Sequence, residues 1–275
     1  MATTKAVVLA RGLGSRMKKA ADADLTPDQA EAAASGAKAM MPLGGRPFLD
    51  HSLSRLADAG LTEVCLVIGP EHTGVRDYYD ALDLERLEIY YAIQPEPLGT
   101  ADAVAAADWF AGEDQVVVIN GDNLYPTDAL AALAGTDGSA TIGFTPAGLV
   151  ANSNIPADRM TAFAQVTADE TGALVDIVEK PTAEQVAALR STAGEPVEPL
   201  ISMNCWLFTP AVFDACREIA PSARGEYEIT DAVRLLVADG ERFAVLRSDE
   251  GVLDLSSRGD IASVATLLAG TEVHL

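Results

Sequence analysis

Basic residues, aromatic residues and cysteines are all scarce in this chain. Its 275 residues include 19 Lys and Arg against 41 Asp and Glu, which gives a formal net charge of −22 at pH 7. Such an acidic chain repels nucleic acid and anionic membranes, so we expect neither as a partner. If the substrates are anions, the few basic residues must be concentrated at the site, together with a divalent metal ion.

The chain also lacks a long apolar run, and we expect no signal peptide. No apolar stretch approaches the length that spans a bilayer, and the first residues lead straight into a strand-like stretch. Cys65, Cys205 and Cys216 are odd in number, widely spaced and set among apolar neighbours. They predict reduced, buried thiols in a cytoplasmic protein, with no disulfide framework and no zinc site.

What the chain does contain is an alternation of strand-like and helix-like segments. Short β-branched runs at 5–9, 64–68, 87–93 and 116–119 are bounded by Gly, Pro or Asp and predict strands. Between the first two of them, Leu49, Leu53 and Leu56 recur at helical spacing. Strands separated by helices indicate a parallel sheet built from right-handed βαβ units.

The second half is organised differently. Predicted strands at 141–145, 163–168, 174–178 and 205–208 come closer together, and we expect no helices between the last three. They indicate antiparallel strands added to the parallel core, followed by helices at 229–238 and 260–269. We predict one compact unit over 1–275, with a first half at 1–135 and a second half at 136–275.

One segment interrupts the first βα unit. Residues 20–37 are rich in Ala and Asp, and within them Thr26 is placed as a helix N-cap, with Pro27 in the first turn and Gln29 three residues after the cap. Gly36 follows as a stop. The pattern predicts a short helix that is either a solvated decoration or a lid over a bound nucleotide, because its loop leaves the phosphate-binding turn.

A glycine-rich turn follows the first strand. Residues 9–16 read Leu-Ala-Arg-Gly-Leu-Gly-Ser-Arg, and such a turn lets backbone N–H groups face a phosphate chain. The Gly-Lys-Ser/Thr ending of a P-loop is absent. A dinucleotide fingerprint needs a small residue where Met17 stands, so neither of these nucleotide-binding classes fits.

The turn resembles the signature of the sugar-1-phosphate nucleotidyltransferases, approximately L-A-G-G-x-G-T-R-L/M, with Arg11 in place of the first Gly. Arg11 is expected to add a cation near the phosphates. Further blocks follow in the family's order, and G-E-x-x-I-T-D and E-K-P are the most specific of them. The resembling blocks are 38–47, 94–103, 120–123, 178–181, 203–206, 225–231 and 252–254.

The resemblance implies an α/β fold, a Rossmann-like three-layer sandwich with a mixed, mainly parallel central sheet and an added antiparallel sugar-binding lobe. It also implies Mg²⁺-dependent transfer of a nucleoside monophosphate from a nucleoside triphosphate to a sugar-1-phosphate, giving a nucleoside diphosphate sugar and pyrophosphate. Such a reaction needs positioning and charge stabilisation but no protein nucleophile. Relatives commonly pair, which leaves homo-oligomer formation open.

The same resemblance implies roles for individual residues. Arg16 is expected to grip the β- and γ-phosphates, and Lys38 to neutralise the α-phosphate in the transition state. Asp122 and Asp254 are expected to hold Mg²⁺, a hard cation that favours carboxylate and phosphate oxygens. The expected nucleotide-binding residues are Ala10, Gly12, Gly14, Gln94, Gly99 and Thr100. The expected acceptor-binding residues are Glu179, Lys180 and Asn204.

Two departures from the family concern the acceptor. Ala164 and Trp206 stand where many relatives have Gly or another small residue, which predicts a smaller or differently shaped pocket and a cyclitol phosphate or modified sugar phosphate as acceptor. Two other functions stay open: a non-catalytic nucleotide-sugar-binding regulatory protein, and a cytidylyltransferase acting on a non-sugar phosphate. The intact set of charged residues argues against the first, and E-K-P against the second. The motifs do not select the base.

Overall fold

Thirteen strands and twelve helices make up the described chain. The structure, a computed structural model, describes residues 2–12, 14–18, 25–35, 38–188 and 199–275. The strands are β1 (Lys5–Leu9), β2 (Pro42–Leu43), β3 (Arg46–Pro47), β4 (Glu63–Ile68), β5 (Glu88–Ile93), β6 (Val116–Asn120), β7 (Asn123–Leu124), β8 (Ser139–Phe144), β9 (Ala164–Ala168), β10 (Leu174–Val178), β11 (Leu200–Phe208), β12 (Phe243–Ser248) and β13 (Leu253–Asp254). The helices are α1 (Ser15–Lys18), α2 (Pro27–Ser35), α3 (Phe48–Asp58), α4 (Thr73–Asp80), α5 (Thr100–Ala105), α6 (Asp108–Ala111), α7 (Thr127–Ala134), α8 (Pro146–Asn152), α9 (Ala183–Ala188), α10 (Ala211–Glu218), α11 (Ile229–Ala238) and α12 (Asp260–Leu268), with 3₁₀ turns at Lys38–Met40 and Ala157–Ala162.

Strand β1 lies inside a nine-stranded mixed sheet. It pairs in parallel with β4 on one side and with β6 on the other, and β5 continues in parallel beyond β4. In β1, β4 and β6 the β-branched side chains are buried on both faces, as strands covered by helices require, whereas β5 lies at the edge and is mostly half-buried. The run β5-β4-β1-β6 therefore confirms the parallel core predicted from the sequence.

Strand β11 joins the two halves of the sheet. One of its edges pairs antiparallel with β9 over 200–202 and with β6 over 206–208, and its other edge pairs antiparallel with β8. Strand β10 extends β9, and β12 pairs in parallel with β8. The antiparallel strands predicted for the second half are thus confirmed.

Three details of the second half differ from the prediction. β11 begins at Leu200, whereas the predicted strand covered only 205–208. The start was missed because Asn204, with a φ of +54°, shifts the register with β8 and breaks the alternating pattern of the strand. β12 was missed because its side chains are mostly half-buried at the edge of the sheet. Helix α9 lies between β10 and β11, where no helix was expected.

Apolar side chains form a core on each face of the sheet. Along β1, Ala6 and Val8 face one core and Val7 faces the other, as the two-residue period of a strand requires. Helices α3 and α7 cover the first core, and α5, α10 and α11 cover the second. These are the three layers of the expected α/β sandwich.

Helix α2 confirms the short helix predicted within 20–37. Its start has a capping box: the Gln29 N–H donates to Thr26 Oγ1 at 3.3 Å, and the Thr26 N–H donates to Gln29 Oε1 at 3.1 Å. Ala33 is fully buried in a third, smaller core that also includes residues of β13 and α12. Helix α2 therefore packs against the body of the protein, while the predicted stop at Gly36 lies outside the described residues.

The three cysteines are free and buried, as predicted. Burial raises the pKa of the Cys65 and Cys216 thiols to about 12, so both are protonated and unreactive near neutral pH. In the part of the chain that the structure describes, no helix has both the length and the apolar character needed to cross a membrane.

Candidate active site

A cleft of about 360 Å³ opens at the carboxyl ends of β1, β5 and β6. The chain moves from β1 to β4 on one side and later returns to β6 on the other side, so the cleft lies at the switch point of the sheet. Open α/β sheets bind their ligands at this position. The lining residues are Leu9, Ala10, Arg11, Gly12, Gly14, Arg16, Lys38, Ala39, Gln94, Pro97, Gly99, Thr100, Ala103, Asn120, Gly121, Asp122, Asn204 and Glu226.

The glycine-rich turn brings three predicted nucleotide-binding residues to this cleft. The Ala10 N–H donates to the carbonyl oxygen of Val67 at 2.9 Å, which fixes the start of the turn against β4. A Cβ on Gly12 would meet no atom within 4 Å, so the backbone there is open to a ligand. Gly14 has a φ of +59°, a left-handed conformation that favours glycine.

Arg16 lines the cleft with an exposed side chain that forms no ion pair with any described residue. Its neighbour Met17 is fully buried in the third core and anchors the short helix α1. Helix α1 thus directs Met17 into the third core and Arg16 into the cleft. An unpaired guanidinium in so acidic a chain is available to an anionic ligand.

Arg11 lines the cleft but does not lie free beside the turn, and its expected role as a cation near the phosphates stays a prediction. Its side chain is buried and forms an ion pair with Glu71, with Nη2 at 3.3 Å from Oε1. Nη2 also donates to the carbonyl oxygen of Pro95 at 2.9 Å. The guanidinium is therefore directed towards the segments after β4 and β5.

Lys38 and Asp122 meet inside the cleft. Lys38 Nζ lies 2.9 Å from Asp122 Oδ2, and both side chains are largely buried. Lys38 opens the 3₁₀ turn that follows the insert, whereas Asp122 follows β6, and the Leu255 N–H fixes the Asp122 carbonyl at 2.9 Å. Residues distant in sequence thus place a cation and a carboxylate together at the edge of the sheet.

Asp254 lies next to Asp122 but is more deeply enclosed. The short strands β7 and β13 pair with each other, which places Asp254 opposite Asn123. The side-chain amide of Asn123 donates to Asp254 Oδ1 at 3.0 Å. Ser256 donates to the same oxygen at 2.9 Å, and Arg159 Nη2 pairs with Oδ2 at 2.6 Å. Burial raises the pKa of Asp254, and the nearby negative charge of Asp122 adds to the effect.

Asp122 and Asp254 could together hold a Mg²⁺ ion that takes its remaining ligands from a substrate. Mg²⁺ is commonly bound by one or two carboxylates together with phosphate oxygens and water. Within the described residues, no group of three or more His, Cys, Asp or Glu side chains could hold a metal ion. Since Lys38 and Arg159 already pair with the two carboxylates, metal binding requires these cations to shift.

Gln94, Gly99 and Thr100 connect the cleft to the loop before α11. Gln94 Nε2 donates to the Gly99 carbonyl at 3.1 Å and to Asp102 Oδ2 at 2.7 Å, so its amide is held in one orientation. Gly99 has a φ of +128°, and a Cβ there would collide with the Tyr227 backbone. The Thr100 hydroxyl accepts a hydrogen bond from the first N–H of α11 at 2.9 Å.

The predicted acceptor residues separate into two groups. Asn204 lines the cleft, whereas Glu179 and Lys180 do not belong to its lining and pair with each other at 3.4 Å. Lys180 has a φ of +44° and Asn204 a φ of +54°, which non-glycine residues rarely adopt. Such strained conformations concentrate at functional sites.

Trp206 is fully buried and is not among the residues that line this cleft, so the smaller or differently shaped acceptor pocket stays a prediction. Its ring stacks on Phe208 at 5.5 Å and packs in the second core. It reaches the cleft only through its Nε1, which donates to Asn204 Oδ1 at 3.3 Å. Ala164 is likewise buried in the second core.

Two arginines near the predicted site were missed by the motifs. Arg159, which pairs with Asp254, belongs to none of the resembling blocks, so no local signal identifies it. Arg224 directly precedes the G-E-x-x-I-T-D block and forms a hydrogen bond with Glu228. Its Nη2 also lies 3.6 Å from Glu179 Oε1 and 3.9 Å from Glu226 Oε2. Because Glu226 lines the cleft, Arg224 connects it to the E-K-P block.

Comparison with known proteins gives a match over nearly the whole chain. The family model described as nucleotidyl transferase matches residues 5–266. The chain is 29% identical over 252 residues to UTP–glucose-1-phosphate uridylyltransferase AglF of Haloferax volcanii, covering 91% of this chain and 90% of that protein. It is 30% identical over 239 residues to the low-salt glycan biosynthesis nucleotidyltransferase Agl11 of the same organism, covering 86% of this chain.

The chain spans only 58% of the length of Agl11. Among solved structures, a UDP-glucose pyrophosphorylase complexed with UDP-glucose has a similar fold, with a TM-score of 0.75 at 18% identity over 98% of this chain and 99% of that chain.

Proposed function

We propose, from the premise that this chain belongs to the nucleotidyl transferase family, that it transfers a nucleoside monophosphate from a nucleoside triphosphate to a sugar-1-phosphate. One observation carries the proposal: Arg16, Lys38 and Asp122, far apart in sequence, line a single cleft beside the glycine-rich turn. Such a combination of cations, carboxylate and open backbone suits a polyphosphate with its metal ion. The name and nearly matching length of AglF give further support.

The proposed reaction is a displacement at phosphorus. An oxygen of the acceptor's phosphate attacks the α-phosphorus and forms a new P–O bond, while the bond to the bridging oxygen breaks. Pyrophosphate leaves with the electron pair of that bond. Because two anions approach each other and charge builds up on the leaving oxygens, positioning and charge stabilisation supply the catalysis.

The basic residues divide this task between them. Arg16, which has no described ion pair, binds the β- and γ-phosphates with its planar fork. Lys38 is directed by Asp122 at 2.9 Å and neutralises the α-phosphate. The open backbone of Gly12 and the left-handed turn at Gly14 let N–H groups approach the phosphate chain.

Asp122 and Asp254 would hold Mg²⁺ in this account. When bound, the ion would neutralise phosphate oxygens and so favour both attack and departure. Arg159 fixes the Asp254 carboxylate through its 2.6 Å ion pair, and Asn123 and Ser256 hold the other carboxylate oxygen. The protein's own contribution is therefore two carboxylates whose cationic partners, Lys38 and Arg159, would shift when the ion binds.

The two halves of the chain would serve the two substrates. Residues 1–135 would supply the nucleotide side, with Gln94, Gly99 and Thr100, which line the cleft, contacting the base. Residues 136–275 supply the acceptor side, where Asn204 lines the cleft and Lys180 and Glu179 lie next to Arg224. Lys180 would bind the acceptor's phosphate and Glu179 its ring hydroxyls. The buried, free thiols support a cytoplasmic location.

A substrate panel tests the proposal. ATP, GTP, CTP, UTP and dTTP are each combined with glucose-1-phosphate, another sugar-1-phosphate and inositol-1-phosphate, with and without Mg²⁺, while pyrophosphate is measured. We expect Mg²⁺-dependent pyrophosphate release with at least one sugar-1-phosphate. Faster turnover of inositol-1-phosphate would identify a cyclitol phosphate acceptor. No pyrophosphate from any pair, combined with tight binding of a nucleotide sugar, would instead indicate a binding protein.

A further inference from the structure

Arg11 has unused hydrogen-bond donors at the wall of the cleft. Its side chain is nearly enclosed, at 8% exposure, and Nη2 is occupied by Glu71 and by the carbonyl of Pro95. Nε and Nη1 are also buried, and neither has a hydrogen-bond partner in the described part of the chain. Buried donors without acceptors cost free energy, so they indicate a group that binds here.

Two chain segments hold this guanidinium in place. Glu71 follows β4, and Pro95 follows β5. Gly69, directly after β4, lies so close that a Cβ on it would be 2.5 Å from Arg11 Nε. The missing side chain at Gly69 thus leaves the space that Arg11 fills, and the donors are fixed relative to the cleft.

Gln94 supplies a complementary acceptor in the same wall. Its Nε2 is occupied by the carbonyl of Gly99 and by Asp102 Oδ2, which leaves Oε1 without a described donor. Arg11 binds the carbonyl of Pro95, the residue next to Gln94, and both Arg11 and Gln94 line the cleft. The wall therefore presents a hydrogen-bond acceptor near a cationic donor.

We infer that Arg11 selects the nucleobase and favours bases that present a ring N–H next to a carbonyl oxygen. Uracil, thymine and guanine have this edge, with the N–H matching Gln94 Oε1 and the carbonyl matching Arg11. Adenine and cytosine present a ring nitrogen acceptor next to an amino group, so both hydrogen bonds would be mismatched. The inference rests on the proposed function, which places the base beside Gln94.

The test compares Arg11→Met and Arg11→Lys with Arg86→Met as a matched control. Arg86, like Arg11, pairs with one carboxylate and one backbone carbonyl, those of Asp58 and His274, but it does not line the cleft. For each protein, kcat/KM is measured for UTP, dTTP, GTP, ATP and CTP at fixed glucose-1-phosphate. Binding of UDP, GDP, ADP and CDP is measured by calorimetry on the same proteins. Glu71→Gln, which keeps Arg11 but weakens its ion pair, covers the chance that Arg11→Met does not fold.

We expect the wild-type protein to prefer a keto base over ATP and CTP. This preference should fall at least about tenfold in Arg11→Met, the effect of one lost charge-assisted hydrogen bond, less in Glu71→Gln, and not at all in Arg86→Met. A wild-type preference for ATP or CTP, or an unchanged order of kcat/KM among the five nucleoside triphosphates in Arg11→Met, would overturn the inference. Arg11 would then have a structural role only. If no pair releases pyrophosphate, the proposed function fails, and the ratio of UDP or GDP binding to ADP binding still decides the role of Arg11.

Discussion

At the scale of single residues, each carboxylate of the proposed metal pair already has a cationic partner. Asp122 pairs with Lys38, and Asp254 pairs with Arg159. Two carboxylates side by side would repel each other in a largely buried place, and these cations offset that repulsion. With a metal ion held by the two carboxylates, the same cations would be free to contact phosphate oxygens. The site would therefore exchange two carboxylate–cation ion pairs for a metal ion on the carboxylates and phosphate oxygens on the cations.

Removal of the charge at Asp122 should weaken metal binding and turnover together. Asp122→Asn leaves Lys38 without its ion pair and removes one anionic ligand. We expect at least about tenfold weaker Mn²⁺ binding by electron paramagnetic resonance, and kcat lower on the order of 100-fold. Asp128→Asn, an exposed position on α7, is the control and should change neither quantity. Unaltered Mn²⁺ affinity in Asp122→Asn would remove Asp122 from the metal site.

A histidine in the core should make stability depend on pH. Burial lowers the pKa of His51 below its ordinary value, more than the nearby Leu43 backbone raises it. Above about pH 6.5 both folded and unfolded states hold a neutral ring, so the stabilisation is fully present. As the pH falls below that value, the unfolded state takes up a proton before the folded state does, and stability is lost.

Urea unfolding between about pH 5.5 and 8 checks this expectation. The free energy of unfolding should decrease towards low pH less steeply in His51→Phe than in the wild-type protein. Any packing cost of the larger ring appears equally at pH 8 and is subtracted there. An identical slope in both proteins would mean that the folded protein protonates His51 as readily as the unfolded chain.

Motif order predicts several of the residues that line the cleft, but not the partners of these residues. Arg16, Lys38, Asp122 and Gln94 were all predicted, because each belongs to a local block with a recognisable residue pattern. Arg159 was not, because its contact with Asp254 spans 95 positions and leaves no local trace. The sequence also does not predict which way a side chain points. Its pattern gave no sign that the Arg11 guanidinium pairs with Glu71.

At the scale of elements, the segment before α5 and the loop before α11 are tied together by close backbone contacts. The Tyr227 N–H donates to the Leu98 carbonyl at 2.8 Å, and the Ala101 N–H donates to the Tyr227 carbonyl at 2.9 Å. Gly99 sits between these two bonds with its Cα against the Tyr227 backbone. This connection joins the segment before α5 directly to the G-E-x-x-I-T-D block.

Substitutions at Gly99 and Thr100 should loosen this connection. Gly99→Ala needs a φ of +128° and collides with Tyr227, so we expect a loss of about 1–3 kcal/mol in the free energy of unfolding. Thr100→Val removes the acceptor for the first N–H of α11 and should cost about 1 kcal/mol, whereas Thr100→Ser should not.

Thermal or urea unfolding measures these changes, with Gly74→Ala as the control. Gly74 lies in α4, and a Cβ there meets no atom within 4 Å, so alanine should be neutral or stabilising. Equal stability of Gly99→Ala and Gly74→Ala would disprove the close contact with Tyr227.

The sequence pattern predicted the bounds of elements that run without interruption, but not those of an element that contains an irregular residue. Strand β10 and helix α11 have the predicted bounds, because each is a continuous stretch with one period. Strand β11 was predicted only in part, since the strained Asn204 interrupts it. That interruption is functional in our account, because it turns Asn204 into the cleft while Trp206 remains in the core.

At the scale of the whole molecule, one mixed sheet carries both proposed binding sides. The proposed nucleotide side is at the carboxyl ends of the parallel strands, and the proposed acceptor side is along β11 and the antiparallel strands next to it. In this account, the order of the strands would let two anionic substrates meet at the same edge of the sheet. The alternation of segments predicted the parallel core and the added antiparallel strands, but the parallel pairing of β8 with β12 could not be foreseen from a half-buried edge strand.

The central claim is that an acceptor phosphate oxygen attacks the α-phosphorus of a nucleoside triphosphate, and an isotope experiment tests it most directly. Glucose-1-phosphate with ¹⁸O in its non-bridging phosphate oxygens is incubated with the protein, Mg²⁺ and each unlabelled nucleoside triphosphate, and the products are analysed by mass spectrometry. We predict that all of the label appears in the nucleoside diphosphate sugar and that the released pyrophosphate is unlabelled. Label in pyrophosphate, or release of free nucleoside monophosphate without a nucleotide sugar, would contradict the account.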